Sequence, residues 1–179
     1  RVRSTRADGV ALTCAAPVAV AIDGADLPRD FGLPAVPGRA DALFTHDGQI
    51  TKSPIRALTL AALAPRAGEV LWDIGGGSGS VAVEWALAGG RAVTVEPRVD
   101  RIATIHANID AFGLGGRVTV LEGSAPEALP PDTPDAVFVG GGASQALLEA
   151  LWAHLPPGAR LVANAVTLET EALLIGLHA

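Results

Sequence analysis

The sequence predicts an α/β fold built on a doubly wound parallel sheet. Three observations predict it. From Ser53 onward, short apolar runs of strand length alternate with longer helical stretches, a pattern that requires right-handed βαβ crossovers and therefore parallel strands. The strand runs are continuously apolar, as they must be when helices cover both faces of a sheet. A glycine-rich loop follows the first strand run and opens a helix, which is where open α/β sheets receive ligands.

The elements follow in order. Ser53 is placed to cap a helix with Pro54 at its first position, and Ile55, Leu58, Leu60, Ala62 and Leu63 supply its apolar stripe. That helix should stop before Pro65. The pattern then predicts a strand over 70–74, a helix over 80–88, a strand over 92–95 and a helix over 98–112. A strand over 118–121, a helical turn over 126–129 and a strand over 136–139 come next. A helix over 144–155, a strand over 160–165 and a helix over 168–177 complete the series. Residues 40–179 therefore form the main domain.

Residues 1–39 are different. They are rich in Pro, Gly, Asp and Arg, and Pro28, Pro34 and Pro37 mark a linker. The one strand-like run, 17–22, belongs either to a loose extension or to a strand that pairs elsewhere. The chain starts at Arg1 and contains no methionine, which predicts a processed chain or a piece of a longer protein.

Composition narrows the function classes. Thirteen Lys and Arg face nineteen Asp and Glu, a net charge of −6. No basic stripe is available to track a phosphate backbone, and aromatics make up only 4%, so few rings could stack on bases. Nucleic acid is thus not expected as a partner. No apolar stretch reaches the roughly 20 residues that span a bilayer, and no membrane association is expected. Cys14 is the single cysteine and the four histidines have no ligand spacing with it. No metal is expected, and a reducing cytoplasm fits.

The strongest motif is Asp73-Ile74-Gly75-Gly76-Gly77-Ser78-Gly79. Its glycines let a ligand press against bare backbone, and the following helix start offers free N–H groups. A dinucleotide fingerprint needs G-x-G-x-x-G, whereas Gly75, Gly77 and Gly79 are spaced G-x-G-x-G and Ser80 stands where the last glycine would be. An acid followed by this tighter spacing resembles motif I of the class I S-adenosylmethionine methyltransferases. Glu96 ends the second strand, where a carboxylate can accept both hydroxyls of a ribose. In the methyltransferases that this motif resembles, the loop after the third strand flanks the adenine, which implies that Ser124 hydrogen-bonds the ring edge and Ala125 supplies a backbone N–H. Gly140, Gly141 and Gly142 follow the fourth strand. They either leave room for something flat and large or form a flexible turn.

Taken together, His46-Asp47-Gly48-Gln49-Ile50-Thr51-Lys52, the 73–79 loop, Gly123-Ser124-Ala125-Pro126-Glu127, the run 139–143 and Asn164-Ala165-Val166-Thr167-Leu168-Glu169 resemble the decarboxylating precorrin methyltransferases of cobalamin biosynthesis. More narrowly, residues 33–177 resemble the C-terminal domains of the bifunctional precorrin-6Y C5,15-methyltransferases. The resemblance implies a Rossmann-like class I sheet of order 3-2-1-4-5, with the family's last two strands missing here. It implies S-adenosylmethionine as cofactor, S-adenosylhomocysteine as product, and methylation of C15 with loss of the ring-C acetate carboxyl. It also implies a covalently linked N-terminal C5-methylase domain, whose tail would be residues 1–39, and an assembly that is often tetrameric.

Residue by residue, the resemblance assigns Thr51, Asp73, Gly75, Gly76, Gly77, Ser78, Gly79, Glu96, Ser124, Ala125 and Gly140 to the cofactor. The substrate, a polycarboxylate tetrapyrrole, would meet His46, Lys52, Arg56, Gly141 and Gly142. Arg98 and Arg101, just after Glu96, are further cations able to pair with its acids. Lys52, Asn164 and Glu169 are the expected catalytic residues. Three other readings compete: a methyltransferase for RNA or protein, an NAD-dependent oxidoreductase, and a non-catalytic binding domain.

Overall fold

The computed structural model describes residues 25, 27, 28 and 32–178. Cys14, the run 17–22 and most of the 1–39 extension lie outside the described residues. The chain divides into two compact units, Arg1–Leu33 and Pro34–Ala179. The second unit begins ahead of the predicted boundary at residue 40, because the N–H groups of Gly38 and Arg39 both donate to the Glu84 carboxylate at 2.8 and 3.0 Å.

Five strands form one parallel sheet: β1 Val70–Ile74, β2 Arg91–Glu96, β3 Val118–Glu122, β4 Ala136–Val139 and β5 Arg160–Ala163. Their order is β3-β2-β1-β4-β5, as the sequence predicts. Among the described residues, five α-helices connect or flank them: α1 Ser53–Leu63, α2 Ser80–Leu87, α3 Val99–Ala111, α4 Gln145–His154 and α5 Leu168–His178. The chain runs outward from β1 through β2 to β3 and then returns to place β4 on the other side of β1. That reversal opens a crevice at the carboxyl ends of β1 and β4.

Side chains alternate across each strand, and this splits the core in two. Leu71 and Phe138 join Leu60, Leu63, Val81, Trp85, Ile105 and Ile109 from α1, α2 and α3. Trp72, Ile74, Val137 and Val139 join Leu147 and Leu151 of α4 on the opposite face. Each of these buried side chains contributes roughly 2 kcal/mol by leaving water. Helix α2 is buried along its whole length from Ser80 to Ala86, which explains its lack of an amphipathic pattern.

Three local expectations change. Ser53 is the first helical residue of α1, with Lys52 at the cap position. Its hydroxyl donates to the Gly38 carbonyl at 2.6 Å, and the cap residue itself makes no side-chain cap hydrogen bond to α1. The buried face of α1 is Arg56, Thr59, Leu60 and Leu63, whereas Ile55 and Leu58 are 48% and 68% exposed. The stripe still follows helical spacing, but it passes through a charged residue that a buried carboxylate neutralises. Residues 125–128 form a turn rather than a helical segment, and β5 ends at Ala163, with the Asn164 N–H still donating to the Val139 carbonyl at 3.1 Å.

Among the described residues, no helix is long and apolar enough to cross a membrane, and no group of three or more His, Cys, Asp or Glu could hold a metal ion.

Candidate active site

A crevice of about 760 Å³ lies over the carboxyl edge of the sheet. Its walls come from the loops after β1, β2, β3, β4 and β5 and from residues 49–52 ahead of α1. Strand ends thus fix the floor, and loops with few bulky side chains form the walls.

The loop after β1 is anchored from below. Gly75 and Gly76 donate to the Val95 carbonyl at 2.9 and 3.1 Å. A β-carbon on Gly76 would stand 2.1 Å from Thr94 Oγ1, and one on Gly75 would stand 3.0 Å from the Gly141 carbonyl oxygen. The loop after β1 therefore lies too close to β2 at Gly76, and to the loop after β4 at Gly75, for side chains at these points. Ser78 Oγ is buried without a hydrogen-bond partner, and the serine lines the crevice. An orphaned buried hydroxyl there is suited to a ligand that supplies its missing partner.

Glu96 is 2% exposed. Its Oε2 accepts from the Gly77 N–H at 2.9 Å and its Oε1 from the Arg98 N–H at 3.1 Å. A carboxylate has about four acceptor positions, so two remain for hydroxyls in the crevice. On the opposite wall Lys52 reaches toward Asp41 at 3.9 Å, with its side chain 58% exposed. Asn164 Nδ2 donates to Thr59 Oγ1 at 3.1 Å, so α1 orients this amide at the rim.

The crevice brings together Thr51, Lys52, Gly75, Gly76, Gly77, Ser78, Glu96, Ser124, Ala125, Gly140, Gly141, Gly142 and Asn164. Five expected site residues lie outside it. Arg56 has no exposed side-chain surface and pairs with Glu84 at 2.7 Å and Asp41 at 3.1 Å. It also donates to the carbonyls of Thr51 and Arg39 and lies 4.7 Å from the Phe44 ring centroid. It is therefore a core ion-pair residue and cannot meet substrate acids. His46 is not among the residues that line the crevice, and its Nδ1 accepts from the Gly48 N–H at 3.1 Å. Glu169 is exposed in the first turn of α5, three residues past Val166, the last residue of the lining.

Gly79 is the helix cap of α2, with φ +71°, and a β-carbon there would stand 2.9 Å from Ile105. It serves the turn and the packing. Asp73 is 1% exposed beneath the loop and accepts from Thr94 Oγ1 at 3.3 Å. The Ala82 N–H in the first turn of α2 also donates to it, so Asp73 caps from β1 a helix whose own cap residue has no side chain.

Burial pushes the Asp73 carboxyl from 3.8 up to about 7, with the hydrogen bonds from Thr94 and Ala82 opposing and the nearby Glu96 adding. A carboxyl with a raised folded-state pKa adds stability that is complete below its unfolded value and is lost as pH rises through about 7. Asp73→Asn removes this titration. Urea melts from pH 5 to 8 should show the parent losing on the order of 3 kcal/mol relative to the variant. Parallel profiles would show that Asp73 does not titrate in this window.

Sequence reasoning missed Glu84 and Asn108. Asn108 is 1% exposed; it accepts from the Thr45 N–H at 2.8 Å and donates to the carbonyls of Thr45 and Ser78 at 2.9 and 2.8 Å. It ties the segment before α1 to the glycine-rich loop. Polar residues on predicted helices carried no signal of either role.

This sheet order, with bare backbone after β1 and a buried acid closing β2, defines the class I methyltransferase architecture. Residues 42–179 match the precorrin methyltransferase domain family, and the chain belongs to that family. It is 56% identical over 151 residues to the precorrin-6Y C(5,15)-methyltransferase [decarboxylating] of Sinorhizobium sp, covering 82% of this chain and 36% of that protein. It is 34% identical over 144 residues to a probable cobalt-precorrin-6B C(15)-methyltransferase (decarboxylating) of Saccharolobus solfataricus, covering 75% of this chain and 72% of that one. The crystal structure of the C-terminal domain of precorrin-6Y C5,15-methyltransferase from Rhodobacter capsulatus superposes with a TM-score of 0.78 at 64% identity, over 82% of this chain and 80% of that one. The chain spans about a third of the length of the precorrin-6Y C(5,15)-methyltransferases that it matches.

Proposed function

We propose that this chain transfers the methyl group of S-adenosylmethionine to C15 of a precorrin and removes the carboxyl group of the ring-C acetate, in cobalamin biosynthesis. The observation that carries the reading is the buried Glu96 carboxylate on the crevice floor, next to the bare backbone of residues 75–77. That pairing suits a ribose and its attached amino acid, in a chain whose relatives bear this activity in their names.

Bound in this crevice, the sulfonium would supply an already activated methyl group. The chain's residues then need only bind, align and exclude water. Glu96 accepts the ribose hydroxyls, the backbone and hydroxyl of Ser78 hold the amino-acid end, and Ser124 and Ala125 flank the adenine. Thr51 and Gly140 close the two sides. Lys52 pairs with a substrate carboxylate, Gly141 and Gly142 make room for the flat macrocycle, and the Asn164 amide borders it. The reduced macrocycle provides the nucleophilic carbon. It also takes up the electron pair released when the acetate carboxyl leaves as CO₂.

The C5 methylation named for the longer relatives falls to a separate methylase domain of the same polypeptide, with residues 1–39 as its tail and linker. Incubation with methyl-labelled S-adenosylmethionine and a precorrin tests the reading. It predicts label in the macrocycle and one CO₂ released per methyl transferred; no transfer would overturn it. Lys52→Ala should raise the precorrin KM about tenfold, the loss of one charge-assisted contact, and leave S-adenosylhomocysteine affinity unchanged. An unaltered KM would remove Lys52 from the substrate site.

A further inference from the structure

The segment 44–52 forms a strap against the half of the crevice assigned above to the cofactor. One end is held by Asn108, whose amide bonds both backbone groups of Thr45 and the Ser78 carbonyl. The other end is held by Arg56, which grips the Thr51 carbonyl. Between them the Gln49 carbonyl oxygen lies 3.8 Å from where a β-carbon on Gly77 would sit. The strap therefore stands directly over the glycine-rich loop.

The tip of the strap has little of its own to hold it. Gly48 has φ +100° and open space where a β-carbon would be. The local bonds, Gln49 N–H to Asp47 Oδ1 at 2.8 Å and Gly48 N–H to His46 Nδ1 at 3.1 Å, shape the turn without attaching it to anything. The attachment to α3 is the ion pair between Asp47 Oδ2 and Arg101 Nε at 3.2 Å. Arg101 is also a crevice-lining residue.

We propose that Asp47 and Arg101 are positioning residues: their ion pair fastens the strap as the outer wall of the cofactor half and sets how long the cofactor stays bound. The inference rests on the cofactor reading above. Neither residue is assigned to bind the cofactor through this pair. With side chains 39% and 22% exposed, the pair is cheap to open, as a wall that must admit and release a ligand requires. An ordinary surface ion pair would leave ligand dissociation untouched.

The test is the dissociation rate of S-adenosylhomocysteine, measured by stopped-flow displacement. This probe lacks the sulfonium charge of S-adenosylmethionine and carries no net charge, which limits any direct effect of a changed rim charge on the ligand. Asp47→Asn keeps the acceptor for the Gln49 N–H and removes the charge. The rate should rise about three- to fivefold, the most that an exposed pair supports, with the melting temperature unchanged. The excess should vanish at about 1 M salt, where screening removes the pair in the parent as well. In a double-mutant cycle, Asp47→Asn added to Arg101→Gln should change the rate no further. A parental rate in Asp47→Asn, or full additivity in the cycle, would overturn the clasp and leave the cofactor reading standing. A parent chain that binds no S-adenosylhomocysteine would overturn both.

Discussion

Replacing Glu96 with alanine is expected to weaken S-adenosylhomocysteine binding on the order of 100-fold, or about 2.7 kcal/mol. Hydrogen bonds to a charged acceptor are each worth about 1.5–3 kcal/mol, and the carboxylate has acceptor positions for two hydroxyls beyond those it uses. It is also the partner of the Gly77 N–H at 2.9 Å, so truncation loosens the loop as well as removing the ribose contact. Glu96→Gln separates the two effects: the amide oxygen can still accept one bond, but the charge is gone and its nitrogen opposes an N–H donor. It should lie between alanine and parent. Isothermal calorimetry at pH 7.5 measures both variants, and an alanine variant within threefold of the parent would remove Glu96 from the cofactor site.

The second large effect is on stability. Glu84→Ala should destabilise the domain by about 3–5 kcal/mol, because it removes the fully buried counter-charge of Arg56 and leaves the guanidinium only the part-exposed Asp41 carboxylate at 3.1 Å. At about 2–4 °C per kcal/mol for a domain of this size, melting should fall by roughly 10 °C or more. The Glu84 carboxylate accepts from Arg56 Nε at 2.7 Å, from Arg39 at 3.1 Å and from two backbone N–H groups. It therefore holds the chain at Gly38 and Arg39 against α2 while Arg56 holds Thr51. Thermal melts of Glu84→Ala and Arg56→Ala should fall together. A shift below about 1 kcal/mol for either would mean that the cluster is not a cooperative part of the core.

Much of the site was readable in the linear sequence, because the chemistry of the loop after β1 is backbone chemistry. A strand followed by tightly spaced glycines leaves little freedom in where a ligand can sit, and the acid closing β2 falls beside it once the strands pair. The residues after β3, β4 and β5 followed from the same alternation, since loops at one edge of a parallel sheet converge. Reading failed where a side chain's role depends on a partner far along the chain. Arg56 had the charge of a substrate ligand and the spacing of a surface residue, but Glu84 draws it into the core from 28 positions away. Glu169 had the right motif, but it falls in the first turn of α5, past the last lining residue, Val166. Asp73 had the look of a ligand contact and turned out to cap the helix behind the loop.

The sequence by itself determined the order of elements and the place of the crevice, because continuous apolar runs and glycine spacing are local properties that each segment carries with it. Only the tertiary structure decided which charged residues face the crevice and which neutralise one another inside. Burying a charge depends on where its counter-charge ends up, and no short stretch of chain contains that information.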